Sequence, residues 1–234
     1  MSDTERVKLT PKERMAVLAT LGTWHEAVTS TAPSDKPAAE AAAMALYHLV
    51  NQRAPRIVWV SSPIDAAREA GADIITSIAP TLLRIAMSRL DHLPNRWQIP
   101  FAEIARGGDT GPLNAEDAFS AAMAIAGAEP LRTRFRRWVG SEIHSHVAGS
   151  LSMMPFLRRL RDQSMRGFLQ GGAAPLLPAL IDVATSILKI PEAEDLRPFV
   201  TLASSCGYCL PCEDTCYLTE RPEFIKTDAG DLHA

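Results

Sequence analysis

The amino-acid sequence predicts a mainly α fold with a small β-sheet, an α+β arrangement. Alanine-rich tracts, such as Ala38 to Ala45 and Ala121 to Ala128, favour helix. Apolar residues recur at helical spacing in several segments, most clearly Leu176, Leu177, Leu180, Val183, Ala184, Ile187 and Leu188. Strand character is confined to Ile57–Val60 and to two short runs near the end, Tyr217–Thr219 and Phe224–Lys226. The length suits one domain over residues 1–234, with a Cys-rich loop and a small C-terminal β region at 205–234.

Each element has a local reason. Pro11 suits a first helical position, and Met15, Leu18, Ala19 and Trp24 keep near-helical spacing, which predicts a helix to about Thr29. Ser34 or Asp35 caps a second helix, with Pro37 in its first turn, a body from Ala38 to Gln52, and Met44, Tyr47, His48 and Asn51 on one face. Pro55 ends it. Ile57–Val60 is short, β-branched and aromatic, and is bounded by Ser61-Ser62-Pro63. Ser62 is placed to cap a third helix from Pro63 to Ala70, with Asp65 in its first turn. Helix resumes from Ala72 or Pro80 to Leu90, with Gly71 and Pro80 as breaks or kinks. Residues 91–112 read as loop, and helices are expected over 114–126, 129–149 and 155–169. Gly171-Gly172 is a turn, Pro175–Ile190 an apolar helix, and Glu194–Ser204 the last helix, with Pro198 in its first turn. The strand at Ile57–Val60 is expected to pair with strands near Tyr217 and Phe224, bringing the Ser-Pro loop close to the cysteines.

Hydrophobic content of 47% and charged content of 22% are those of a globular chain, and the net charge of −3 gives no overall field to recruit nucleic acid or membrane. The stretch MSDTERVKLTPKER is polar, and charges or prolines interrupt every apolar run before a membrane-spanning length is reached. The expected compartment is the cytoplasm, with no membrane association. Charge is unevenly spread. Arginines 132, 134, 136, 137, 158, 159, 161 and 166 face only Glu142 and Asp162 between Leu131 and Arg166, whereas Lys189–Ala234 holds nine acids and four bases. The basic middle either pairs with the acidic end or meets an anionic partner.

All the cysteines, Cys206, Cys209, Cys212 and Cys216, fall in one C-x2-C-x2-C-x3-C run. That is the loop spacing with which bacterial ferredoxins hold an iron–sulfur cluster. In a reducing compartment such a run reads as metal-binding or catalytic rather than as a disulfide framework. A [4Fe–4S] cluster would take Cys206, Cys209 and Cys212, leaving the remaining iron to Cys216, another residue or an exogenous ligand. Zinc is the second choice, because its sites usually separate two C-x2-C pairs by a longer loop. The bland alternative is that the cysteines are small apolar residues near the core.

Other constellations are weaker. Glu142 and His146 share a helical face while His144 points elsewhere, so a polar helical pair is the simpler reading. Trp24-His25-Glu26 and His48 read as hydrogen-bonded residues rather than ligands. Arg134 with Arg137, and Arg158 with Arg161, form helical rows interleaved with Phe135 and Trp138, a pattern that suits an anionic or single-stranded partner but equally a solvated face. The sequence has no nucleophile elbow, phosphate-binding loop, dinucleotide fingerprint or H-E-x-x-H pair.

Three stretches carry a family resemblance: Arg56-Ile57-Val58-Trp59-Val60-Ser61-Ser62-Pro63, then Cys206 to Asp214 followed by Cys216, and Thr219-Glu220-Arg221-Pro222 leading to Asp228-Ala229-Gly230-Asp231-Leu232-His233. They resemble the uncharacterised bacterial family called domain of unknown function 6745. That family shows a strand ending in Ser-Pro, a Pro-x-Glu-Asp stretch, an Arg-Pro pair and an Asp-x-x-Gly-x-Leu-His segment. Its members have aromatics where this chain has Tyr208, Cys209 and Cys212, and they usually continue beyond the Leu-His segment. The resemblance places His233 and Asp228 in that last segment, where His233 is a remote candidate for a fourth ligand. It implies no activity.

Two functional readings follow. The first is a cytoplasmic metal-binding protein with Cys206, Cys209, Cys212 and Cys216 as ligands of an iron–sulfur cluster or zinc, in a redox, sensing or structural role. The second is a non-enzymatic interaction module in which the cysteines pack and the arginine helices of 131–166, through Arg134, Arg137, Arg158 and Arg161, bind a protein or nucleic acid. A catalytic thiol beside Asp214 or a histidine is a third reading.

Overall fold

Helix α1 spans Pro11–Val28, and its Val17 and Trp24 are buried on one side. The computed structural model describes residues 10–28, 30–91, 169–170, 176–223, 226–228 and 231–233. Helix α2, Lys36–Leu49, starts where the Asp35 carboxylate accepts the Ala38 N–H at 3.2 Å, with Pro37 in the first turn. Such a cap stabilises a helix by about 1 kcal/mol. The buried stripe is Ala39, Ala42, Ala43, Leu46 and Tyr47, at spacings of three and four. Met44 and His48 are exposed, so the expected face of Met44, Tyr47, His48 and Asn51 does not exist as a unit. The helix also ends earlier than Gln52, because Asn51 adopts φ 56 and turns the chain left-handed.

Strand β1, Arg56–Val60, leads through a Ser62 cap into α3, Pro63–Ala70, and the Ser62 hydroxyl accepts the Asp65 N–H at 3.1 Å. Gly71, at φ 52, opens a 3-10 turn over Gly71–Thr76, and helix resumes as α4, Ala79–Asp91. After β2, Leu169–Gln170, the expected apolar helix appears as α5, Leu176–Asp182, which widens into a π turn over Val183–Ile187. The wider turn shifts the stripe so that Val183, Ala184 and Thr185 are all buried. A 3-10 turn, Pro191–Leu196, precedes α6, Arg197–Ser205, whose tightest neighbour is the alanine stripe of α2. Strands β3, Tyr208–Pro211, and β4, Thr215–Thr219, follow, and β5, Lys226–Asp228, pairs with β6, Asp231–His233, in a separate two-stranded sheet. Of the helices expected over 114–126, 129–149 and 155–169, all but Leu169 lies outside the described residues, and Leu169 belongs to β2.

The main sheet runs β1-β4-β3-β2. The predicted pairing of Ile57–Val60 with the Tyr217 strand holds: β1 and β4 are parallel, with Arg56 opposite Thr215 and Val60 opposite Thr219. The predicted pairing with the strand near Phe224 does not: its described part, Lys226–Asp228, pairs with Asp231–His233 in the separate sheet, and β3 takes the place beside β4. Residues of β4 are buried on both faces, as parallel pairing of an inner strand requires. One face, carrying Ile57, Trp59, Cys209, Cys216 and Leu218, packs into the large core built from α1, α2, α4, α5 and α6. The opposite face carries Val58, Val60, Tyr208, Leu210 and Tyr217 against α3 and the following turn, through Ala66, Ala70 and Ile74. The outcome is the expected mainly α fold with a small sheet.

No single described helix is long and apolar enough to cross a membrane. The pair Pro63–Ile74 and Ala79–Leu90, bent by 97°, has the length and composition of a broken span. Its Ala66, Ala70 and Ile74 instead fill the smaller core, and its Leu82, Ala86 and Leu90 fill the larger one.

Candidate functional site

The cysteine run folds as a β-hairpin, not as a loop wrapped around a centre. Strands β3 and β4 pair antiparallel, with Cys209 opposite Leu218, Leu210 opposite Tyr217 and Pro211 opposite Cys216. Side chains alternate between the faces of a strand, so residues three apart point to opposite sides. The C-x2-C step from Cys209 to Cys212 therefore separates the two sulfurs across the sheet. Cys209 enters the large core, and Cys212 the smaller core with Tyr208, Leu210 and Tyr217. Cys206 follows α6, where its thiol donates back to the Leu202 carbonyl at 3.4 Å. Cys216 shares the face of Cys209, and their sulfurs lie 3.4 Å apart.

This corrects the metal-binding reading. Among the described residues, no group of three or more His, Cys, Asp or Glu side chains is placed to hold a metal ion. Cys206, Cys209, Cys212 and Cys216 are not the convergent ligand set that an iron–sulfur cluster or zinc demands. Ferredoxin spacing converges only when the intervening residues form a loop. Here Tyr208, Leu210, Tyr217 and Leu218 are strand formers with two cores to fill, and the strand period sends Cys212 to the smaller core and away from the other thiols.

The thiols are buried, none more than 1% exposed. Burial pushes the Cys206 thiol up to about 12, with the nearby Cys216 adding to it. Burial likewise pushes Cys212 up to about 12. Hydrogen bonding with Cys216, and then burial, hold Cys209 well above the ordinary thiol range. A nucleophilic thiol needs the opposite, an exposed site that favours thiolate. Asp214 lies exposed in the hairpin turn and gives these thiols no such setting.

A pH dependence follows. In the unfolded chain these cysteines lose protons near 9.0, whereas in the folded chain Cys206 and Cys212 keep them to about 12. Between those values the unfolded chain binds fewer protons, so raising the pH favours unfolding. Their contribution is complete below pH 9 and is lost as the pH passes through about 12. The urea midpoint is expected to fall steadily across this window, and less steeply in Cys206→Ala/Cys212→Ala. An equal slope in that variant would show that these thiols titrate alike in both states.

Polar groups clamp both ends of the hairpin. At the turn, the Tyr47 hydroxyl of α2 donates to the Cys212 carbonyl, and the Thr215 carbonyl lies 3.3 Å from it. The Arg56 N–H reaches the Asp214 carbonyl at 2.9 Å. At the other end, Gly207 N–H donates to the Thr219 carbonyl, Tyr208 N–H to the Thr219 hydroxyl, and Glu220 N–H to the Val60 carbonyl. Arg221 donates to the Ser30 hydroxyl and the Ser204 carbonyl, and its backbone N–H to the Ser34 hydroxyl. Lys36 pairs with Glu220 at 2.6 Å and sits 5.0 Å from the centre of the Trp59 ring, whose Nε1 donates to Glu40. The Lys36 hydrogen bond holds the Glu220 carboxyl below the usual range.

The Ser-Pro loop therefore adjoins the Gly207 end of the hairpin, while the turn at Glu213-Asp214 adjoins the opposite end of β1. Sequence reasoning missed Tyr47, Gly207, Thr219 and Arg221 as the residues that position the hairpin. His48 is exposed on α2, and His25 and Glu26 belong to α1, although their side chains lie outside the described set. Asp228 and His233 fall in the β5–β6 ribbon, where Asp228 is opposite Asp231 and His233 opposite Lys226. Glu142, His144, His146, Arg134, Arg137, Arg158 and Arg161 lie outside the described residues. No family model, curated protein or solved structure matches this chain.

Proposed function

We propose that this chain is a binding module for an anionic partner, in which the described fold is the scaffold and the basic segment 131–166 makes the contact. The observation that carries this reading is the make-up of 131–166, where eight arginines stand with only two acids, Glu142 and Asp162. An excess of cations of this size in one stretch suits the second of the two roles the charge pattern left open, in which the arginines serve an anionic partner. In the chain, 131–166 comes after α4, whose Leu82, Ala86 and Leu90 are in the large core, and before β2, which pairs with β3. Phe135 and Trp138 stand among the arginines, and aromatics interleaved with guanidinium groups suit stacked, unpaired bases better than a folded acidic protein.

Binding of the full chain to a fluorescent single-stranded RNA, measured across a salt series, tests this. The affinity is expected to fall steeply with salt, and Arg134→Ala/Arg137→Ala/Arg158→Ala/Arg161→Ala to weaken it by roughly tenfold or more at low salt. Absence of binding at low salt, or binding untouched by the substitutions, overturns the nucleic-acid reading. Binding to an acidic polypeptide but not to RNA would assign the segment to a protein partner.

A further inference from the structure

Two of the cysteines have a relationship that packing alone does not require. Cys209 and Cys216 sit on different strands, two positions out of register, because Cys209 is opposite Leu218 and Cys216 opposite Pro211. Diagonal neighbours on one face ordinarily stand farther apart than directly opposed ones. Their side chains nevertheless lean together until the sulfurs touch at 3.4 Å. Both are free thiols. Cys212 is on the far side of the sheet, and the Cys206 thiol is engaged with the Leu202 carbonyl.

We propose that Cys209 and Cys216 are an oxidant-closable dithiol that joins as an intramolecular disulfide when hydrogen peroxide reaches the core. A disulfide needs a sulfur separation of about 2.0 Å, so closure takes a movement on the order of 1 Å from the contact already present. The chemistry balances in two steps. While the hairpin is open, one sulfur loses its proton to solvent and attacks peroxide as thiolate, the O–O bond breaks, and a sulfenic acid forms with hydroxide, which takes up a proton to give water. The second sulfur then attacks the first, the S–O bond breaks, the S–S bond forms, and a second water leaves with the remaining thiol proton. Two thiols are oxidised and one peroxide is reduced. The oxidant is small and uncharged, which suits a pair enclosed by Leu218 and the large core. Access comes through transient opening of the hairpin, so closure is slow compared with that of an exposed pair. The contact ensures that a sulfenic acid formed on either sulfur meets a thiol before a second peroxide arrives.

The experiment treats the full chain with hydrogen peroxide, quenches it, counts thiols under denaturing conditions and maps the cross-link by mass spectrometry. The expected result is loss of two of the four thiols, a mass decrease of about 2 Da, and a peptide linking Cys209 to Cys216. Cys206→Ser and Cys212→Ser are expected to close as the parent does. Cys216→Ser is expected to lose the mass decrease and to gain oxygen on Cys209 instead. Four free thiols after exposure that oxidises methionine in the same sample would overturn the proposal. So would a link through Cys206, or oxygen addition to Cys209 and Cys216 separately. The Cys206 and Cys212 variants keep the test informative if Cys216→Ser does not fold.

Discussion

Gly207→Ala is expected to destabilise the chain by roughly 3 kcal/mol, the upper part of the range for overpacking at a rigid site. A methyl group at this position would meet the Glu220 carbonyl oxygen at 2.5 Å and the Thr219 hydroxyl at 2.7 Å. Neither neighbour is free to retreat. Glu220 is held by its N–H bond to the Val60 carbonyl, and the Thr219 hydroxyl accepts the Tyr208 N–H at 2.7 Å. The glycine is needed for close approach of two backbones and not for a left-handed conformation. Gly71 supplies the contrast. It has φ 52 and ψ −119 with open space where a Cβ would stand, so Gly71→Ala is expected to cost about 2 kcal/mol, through backbone strain and not through a clash. Urea unfolding of the two variants checks both values. A Gly207→Ala midpoint within error of the parent would mean that the backbone at Gly207 does not approach Thr219 and Glu220 this closely.

Tyr47→Phe is expected to lower stability by about 2 kcal/mol, although it removes a single oxygen. Tyr47 is 1% exposed and rises from α2 through the large core to the hairpin turn. Burial, the first cause, and the neighbouring Cys216 and Cys209 hold its hydroxyl far above the ordinary phenol range, so it donates as a neutral group at any physiological pH. The Thr215 carbonyl keeps a partner in the Cys212 N–H at 2.9 Å, whereas the Cys212 carbonyl loses the hydroxyl that reaches it. The cost is therefore that of one buried carbonyl left without its donor. The urea slope should be unchanged, since little surface changes, while the midpoint falls. A shift below a quarter of the expected size would place the hydroxyl among groups that water can replace.

Local chemistry made much of the fold legible in the sequence. Asp35 before Lys36-Pro37, and Ser62 before Pro63, announced two helix starts because their side chains satisfy N–H groups that a first turn leaves open. Ile57–Val60 was recognisable as a strand because β-branched and aromatic side chains suit a pleated, half-buried surface. The π turn after Asp182 and the left-handed Asn51 were not legible, since both depend on how a helix end meets its neighbours.

The cysteine run shows the same division at the candidate site. Its spacing is a property of the chain, and spacing alone matched a cluster-binding loop. Whether x2 and x3 spacers bring sulfurs together depends on the backbone between them, and β1 decided that. By pairing in parallel with Thr215–Thr219, it drew the second half of the run into an inner strand, and the antiparallel return of Tyr208–Pro211 completed the hairpin. Residue types and short-range signals by themselves determined the starts of α2 and α3 and the strands at Ile57–Val60 and Tyr217–Thr219, but not β2, β3 or β6. Only tertiary structure decided which face each side chain occupies, because a period of two gives each strand residue a side, and the cores on either side of the sheet belong to segments far away in the chain.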